Sequence, residues 1–200
     1  MQGPFKLYGM TGSGNCEKVR IVADLLGVPY EWVETAPGER GTKSAAFLRD
    51  INAAGQVPAV VFADGQRLAQ SPAIMIYLAE GSALIPADRF ARAQMLEWMA
   101  WEQYTHEPTV AVRRADLKFR GKTEADIDPS LKTRGDAALD RMDAALRDRD
   151  WLVGDAFSLA DIALYPYTRD AHEGGFDLAS RPNVTAWLDR VGSAVTRRDA

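Results

Sequence analysis

Strand-like segments stop near residue 70 of this 200-residue chain, and helical periodicity continues alone beyond them. A strand alternates faces every two residues, whereas a helix returns an apolar face at spacings of three and four. The two halves must therefore bury their cores in different architectures. In the first half Phe5-Lys6-Leu7-Tyr8 and Tyr30 to Glu34 read as short strands. Val57 to Ala63 reads as a buried strand, followed by an Asp64-Gly65 hairpin turn and a returning segment from Arg67 to Ala69. Val19, Val22, Ala23 and Leu26 mark a helix that ends at Gly27, ahead of Pro29, and Ser44 to Asp50 marks a shorter one. Ser71 to Glu80 reads as a helix with Ser71 as N-cap and Pro72 as its first residue.

The order β-α-β-α-β-β-α predicts a small α/β layer on one mixed sheet over residues 1–81. Gly81, Pro86 and Asp88 punctuate a linker. Over 88–200, helical patterns cover Arg89 to Tyr104 and Leu131 to Arg149, a third helix begins at Ser158, and a fourth covers Val184 to Val195. That half is predicted to be all-α.

Composition narrows the functional classes. At 46% hydrophobic and 26% charged residues the chain has the make-up of an ordinary globular protein. A net charge of -4 argues against non-specific nucleic-acid binding, which needs a basic face to displace counterions. A single cysteine, Cys16, allows no intramolecular disulfide. No apolar run approaches the roughly 18 residues of a membrane span, and no signal-peptide pattern precedes Phe5. The expectation is a cytoplasmic protein without a membrane or nucleic-acid partner. Two histidines, His106 and His172, and one cysteine make a dedicated zinc site improbable.

Three local features make chemical sense together. Thr11-Gly12-Ser13-Gly14-Asn15-Cys16 lies between a strand and a helix, where small residues bring the backbone close to an anion at the helix N-terminus. The Ser13 hydroxyl can cap that helix or donate to a thiolate placed there. Lowering a thiol pKa from about 8.5 by two units requires roughly 2.7 kcal/mol. A hydrogen bond to a charged acceptor contributes roughly 1.5–3 kcal/mol and the helix terminus roughly 0.3–1 kcal/mol, so neither a metal nor a histidine is needed. Second, Gly55-Gln56-Val57-Pro58 leads into a strand; a cis Val57-Pro58 bond would turn the Val57 backbone N–H and C=O outward to pair with a peptide. Third, at Gln70-Ser71-Pro72 a hydroxyl and free helix N–H groups can hold a carboxylate, with the Gln70 amide beside them, although an ordinary N-cap would look the same.

The order and spacing of these features resemble the glutathione transferase superfamily over nearly the whole chain. The resemblance implies a thioredoxin-like first domain followed by an all-helical one, with glutathione as co-substrate, a small electrophile as second substrate, and a homodimer. It implies that Ser13 stabilises the glutathione thiolate, that Val57 at its step to Pro58 binds the cysteinyl backbone, and that Gln70 and Ser71 hold the γ-glutamyl end. Lys43, with Thr42 and Gln56, falls where such proteins hold the glycyl end. Gly154-Asp155-Ala156-Phe157-Ser158-Leu159-Ala160-Asp161-Ile162 is a capping box with a Phe157–Ile162 staple, and resembles the folding motif of the family's helical domain.

Asn15 rivals Ser13 as thiol activator, and Thr11 is a weaker candidate. Tyr8 is read as packing, and Cys16 as an inert core thiol. Trp101, Tyr104 and Pro108 are candidates for the second-substrate pocket, with His106, Arg113 and Arg114 nearby. Two other functions stay open: a glutathione-dependent disulfide-bond reductase, favoured by Asn15 as principal donor, and a non-catalytic glutathione-transferase-like module that binds proteins.

Overall fold

A computed structural model describes residues 4–196 of the chain. It divides into two compact units, residues 1–82 and 83–200. The first unit carries strands β1 (Phe5–Gly9), β2 (Tyr30–Glu34), β3 (Ala59–Val61) and β4 (Arg67–Ala69), and helices α1 (Gly14–Leu25), α2 (Ala45–Asp50) and α3 (Ser71–Ala79). The sheet order is β2-β1-β3-β4, with β1 parallel to β2 and antiparallel to β3, and β3 antiparallel to β4. Phe5 and Leu7 of β1, Val19, Val22 and Ala23 of α1, Ala59 and Val60 of β3, and Ile74 and Met75 of α3 are fully buried. The three-and-four spacing of α1 thus meets the two-residue spacing of β1 in one core, while α3 packs against α1.

Two boundaries differ from expectation. The strand read as Val57 to Ala63 is ladder-bonded only over Ala59–Val61. The N-cap of α3 is Gln70, not Ser71: Gln70 has φ 72 and ψ 115, and Ser71 is the first helical residue with Pro72 second. The chain enters this helix through a left-handed residue, so the turn falls one position earlier than the Ser-Pro signal suggests.

The second unit contains α4 (Arg89–Trp101), α5 (Val112–Lys118), α6 (Ser130–Ala145), α7 (Leu159–Arg169) and α8 (Pro182–Thr196), with 3-10 turns at Glu124–Asp126 and Ala171–Gly174. The helix read as Arg89 to Tyr104 does not stop there. It widens into a π-helical segment, Glu102–Ala111, and runs on into α5. Pro108 inside that segment has no N–H to donate and would crowd the carbonyl one turn back in an α-helix, and a wider turn relieves the crowding. Thr109 adds a local substitute, donating its hydroxyl to the carbonyls of Thr105 and His106 at 2.9 and 3.0 Å. The core of this unit gathers Met95 and Met99, Leu139 and Met142, Leu159, Ile162 and Leu164, and Trp187 and Val191 from four helices.

The Ser158–Asp161 capping box forms as read. One oxygen of the buried Asp161 carboxylate accepts from the Ser158 N–H at 3.0 Å and hydroxyl at 3.2 Å. The other accepts from the Leu152 N–H at 3.0 Å and the Trp187 indole N–H at 2.9 Å. Asp161 therefore ties α7 to α8 and to the loop before the box.

Candidate functional site

The sheet register explains how distant residues reach one place. Tyr8 of β1 lies opposite Ala59 of β3, and Ala59 lies opposite Ala69 of β4. Tyr8 and Ala69 are near the ends of their strands and Ala59 begins its own. The loop from Gly9 to Ser13, the Val57-Pro58 step and the Gln70-Ser71 pair therefore all leave the sheet at the same end.

Ser13 caps α1 in extended conformation, its Oγ accepting from the Cys16 N–H at 3.4 Å. Capping uses a lone pair of the hydroxyl rather than its proton, so capping is compatible with donation to a sulfur, and in this structure Ser13 also hydrogen-bonds the Cys16 thiol. Thr11 is committed elsewhere: its N–H and hydroxyl both donate to Glu34 at 2.8 Å, and Trp32 Nε1 donates to the same carboxylate. Those donors hold Glu34 below the usual carboxylate range. Trp32 also crosses Gly9, where any Cβ would fall 2.2 Å from its ring, so only glycine fits there. Tyr8 meets the Phe47 ring edge-on and serves packing. Cys16 is buried, and burial raises its thiol pKa, against an opposing hydrogen bond with Ser13. A raised pKa and a closed surround are the opposite of what a reactive thiol needs. A cavity of about 220 Å³ adjoins Gly12, Ser13, Cys16, Arg20 and Trp32, but Asn15, Val57 and Ser71 do not line it.

Asn15 makes the direct link across the site. Its Oδ1 accepts from the Ser71 hydroxyl at 3.1 Å and from Lys18 Nζ at 2.7 Å. Sequence reading missed Lys18, which is 0% exposed. The signal was present: Lys18 falls one turn before Val22 and one residue before Val19, on the stripe that faces the core.

The Val57-Pro58 bond is cis, and neither the N–H nor the C=O of Val57 has a hydrogen-bond partner among the described residues. Pro58 is buried and Gln56 is exposed, the Gln56 carbonyl accepting from Asn52 Nδ2 at 2.8 Å. Lys43 reaches this loop, with Nζ 3.2 Å from the Ala54 carbonyl. Gly55, at φ +63, has no room for a Cβ, which would meet Lys43 Nζ at 2.6 Å and the Thr42 carbonyl at 2.9 Å. Lys43 and Gln56 are thus brought to the loop that carries Val57. Thr42 is buried, and its hydroxyl accepts from the Gly38 N–H.

Gln70 is the one non-glycine residue with positive φ among the described residues. Such a conformation costs of order 1–3 kcal/mol and gathers at ligand clamps. No side chain caps α3, so its first N–H groups point to a site suited to an anion.

In the second unit the candidates separate. Trp101 packs edge-on against Trp98, with Arg141 4.6 Å above its ring. Tyr104 is 88% exposed, and Pro108 lies within the π segment. His106 is a core residue whose Nε2 lies 3.1 Å from the Thr168 hydroxyl. Arg113 binds the Gly174 carbonyl and Glu124, and Arg114 binds Asp170 and Glu173, so both guanidinium groups hold the fold together. Among the described residues no group of three His, Cys, Asp or Glu side chains could hold a metal ion, and no helix is long and apolar enough to cross a membrane.

A thioredoxin-like α/β unit followed by an all-helical one, with a Ser/Asn helix start beside a cis Val-Pro step, defines the glutathione transferase fold. The family models for the glutathione S-transferase N-terminal and C-terminal domains match residues 3–80 and 100–194, and the chain belongs to that family. It resembles the crystal structure of a glutathione S-transferase from Xanthobacter autotrophicus at 46% identity and a TM-score of 0.89, over 94% of this chain and 93% of that one. Glutathione S-transferase 3 of Zea mays is 32% identical over 95% of this chain and 90% of its own. The disulfide-bond oxidoreductase YfcG of Escherichia coli is 26% identical over 90% of this chain and 86% of its own.

Proposed function

We propose that this chain is a glutathione transferase that stabilises the glutathione thiolate for attack on a small, partly hydrophobic electrophile. The observation that carries the reading is the convergence of an open serine-capped helix, an unpartnered Val57 backbone and an uncapped α3 at one end of the sheet. In this reading Val57 pairs with the cysteinyl backbone of the tripeptide. The α3 N-terminus with Gln70 and Ser71 takes the γ-glutamyl carboxylate, and Lys43 with Gln56 takes the glycyl carboxylate. The thiol proton leaves to solvent, and Ser13 and Asn15 donate hydrogen bonds to the sulfur that remains. The sulfur then forms a bond to the electrophilic carbon while that carbon's leaving group departs with its electron pair. Positioning and electrostatics do the work. In this reading residues 1–81 form the glutathione-binding domain and 88–200 the helical domain, on which Trp101, Tyr104 and Pro108 are candidates for contact with the electrophile. The protein acts as a cytoplasmic homodimer.

The test is an ultraviolet thiolate difference spectrum on adding glutathione to wild type, Ser13→Ala and Asn15→Ala. Wild type is expected to show bound thiolate at neutral pH, and absence of any glutathione binding at millimolar levels, a range typical of weak substrates, overturns the reading. Full thiolate in Ser13→Ala with loss in Asn15→Ala would transfer the main donor role to Asn15. Asn15 rather than Ser13 as principal donor would favour a second reading, reduction of a disulfide at the expense of two glutathione thiols, which become glutathione disulfide. Turnover of a small disulfide but not of an aryl halide selects it.

A further inference from the structure

We infer that Glu34 is a positioning residue of the thiol site, acting through Thr11: its carboxylate grips the turn that carries Ser13 and so sets where the Ser13 hydroxyl meets the glutathione sulfur. The inference rests on the reading of Ser13 as a donor to that sulfur.

Ser13 is the last residue of a tight turn. Its N–H donates to the Met10 carbonyl at 3.1 Å, and Gly12, third in the turn, has φ 85. The Thr11 N–H takes no part in that closure. It donates to Glu34 Oε1 at 2.8 Å, while the Thr11 hydroxyl donates to Oε2 at 2.8 Å. Two bonds from one residue to one carboxylate fix an orientation as well as a distance. Glu34 is itself held. It is the last residue of β2, opposite Gly9 in the ladder, and Trp32 Nε1 donates to its Oε2 at 2.8 Å. Trp32 in turn crosses Gly9, and the Arg20 guanidinium lies 5.2 Å over its ring. The carboxylate therefore has a fixed base on the sheet and a two-point grip on the turn.

Packing gives the turn little support on this side. Thr11 and Gly12 are exposed, and the cavity of about 220 Å³ lined by the turn, Cys16, Arg20 and Trp32 opens where packed side chains would otherwise brace it. Of the ionisable groups of α1 that line the same cavity, Glu17, Arg20 and Asp24, Arg20 is the donor, and its Nε donates to the Tyr30 hydroxyl at 3.3 Å. The charge of Glu34 points to geometry as its role. Burial, and to a lesser extent the Glu34 charge, raises the pKa of the Cys16 thiol that hydrogen-bonds Ser13. The same charge opposes a glutathione thiolate placed at Ser13, so the carboxylate serves the site by what it holds. Its two oxygens accept from three donors, whereas an amide offers one oxygen. The Ser13 hydroxyl hydrogen can rotate from the Cys16 thiol to a charged sulfur, which is the stronger acceptor.

The experiment compares wild type, Glu34→Ala, Glu34→Gln, Thr11→Val, Ser13→Ala and the Glu34→Ala, Ser13→Ala double variant for thiolate absorbance against pH with bound glutathione, steady-state kinetics and thermal stability. Glu34 is exposed, so its variants are expected to fold. Glu34→Ala is expected to lower kcat at neutral pH by about threefold to tenfold, the range of one lost hydrogen bond, and to raise the apparent pKa of bound glutathione, with a smaller change in KM. Loss of the charge alone would lower that pKa, so the sign separates placement from charge. Glu34→Gln keeps an oxygen for the Thr11 N–H and is expected to recover most of the loss. Thr11→Val removes one of the two bonds and is expected to lose less than Glu34→Ala. In the Ser13→Ala background Glu34→Ala is expected to add no further loss, because the group it positions is gone. Additive losses in the double variant, an unchanged or lowered thiol pKa in Glu34→Ala, no recovery in Glu34→Gln, or a larger loss in Thr11→Val than in Glu34→Ala each overturn the inference. A wild type that binds no glutathione overturns the functional reading instead, before any variant is compared.

Discussion

Among the described helices that start from a capping serine, α1 at Ser13 and α7 at Ser158 use it differently. At α7 the cap is closed. Ser158 is buried, Asp161 returns a reciprocal bond, and the same carboxylate takes the Leu152 N–H and the Trp187 indole. At α1 the cap is open. Ser13 is half-buried, its bond to the Cys16 N–H is long at 3.4 Å, and no carboxylate answers it. A closed cap spends every polar atom on stability, whereas an open one leaves helix N–H groups for a ligand. The contrast extends to charge: in the helical unit Arg113, Arg114 and Asp116 are consumed in ion pairs within the domain. Density of polar residues therefore does not mark a site here, and unfinished hydrogen bonding does.

The comparison can be broken most forcefully at the closed cap. Asp161→Ala leaves four donors without their acceptor in the core, each costing about 1–3 kcal/mol. We expect a loss of at least about 3 kcal/mol in urea denaturation, with Ser158→Ala milder at about 1–2 kcal/mol. Whatever fraction still folds should bind glutathione normally. Lost binding in folded Asp161→Ala protein would mean that the closed cap also serves the site.

At the open cap the pattern should invert. Asn15→Ala is expected to reduce kcat/KM by about tenfold to a hundredfold, the range for a hydrogen bond to a charged acceptor. Ser13→Ala should cost only about 0.5 kcal/mol of stability, the low end for a cap, while lowering the bound thiolate. Equal stability losses at Ser13 and Ser158 would erase the distinction. Gln70→Gly sharpens it further. Relieving the positive φ should leave the melting temperature unchanged or raise it slightly, by up to about 1 kcal/mol of stability, yet raise KM for glutathione.

These differences also show what a sequence can disclose. Serine, proline and glycine mark where helices and strands begin, so the places where Ser13, Val57-Pro58 and Gln70-Ser71 leave the sheet could be read directly. The shift of the α3 cap to Gln70 could not, because a positive φ at glutamine contradicts its own local preference and is imposed by the turn. The π segment was hidden because Pro108 reads as a helix end unless the surrounding residues hold the wider turn. Arg113 and Arg114 looked available because their partners Glu124, Asp170 and Glu173 come from other segments. Lys18 lay on a legible apolar stripe, but its pairing with the amide of Asn15 depends on burial supplied by the rest of the fold.

The smallest effect is in acid, and it separates the two caps by sign. Glu34 anchors the loop before Ser13 and has a lowered pKa because Thr11 and Trp32 donate to its charged form. Its contribution is present above the unfolded carboxylate value of about 4.3 and is lost as pH falls through the lower folded value. Asp161 has a raised pKa because it is buried, so its linkage runs the other way: protonation favours the folded state, and the contribution is lost on raising pH through the folded value. Acidification below about pH 4 should therefore loosen the Thr11 amide before the Ser158 amide. Hydrogen-exchange protection at the two amides, referred to intrinsic rates at each pH, measures this. Glu34→Gln should flatten the acid response at Thr11 and leave that at Ser158 unchanged. A simultaneous loss of protection at both amides would mean that the two helix starts unfold as one unit, and that the open cap has no independent freedom to receive a ligand.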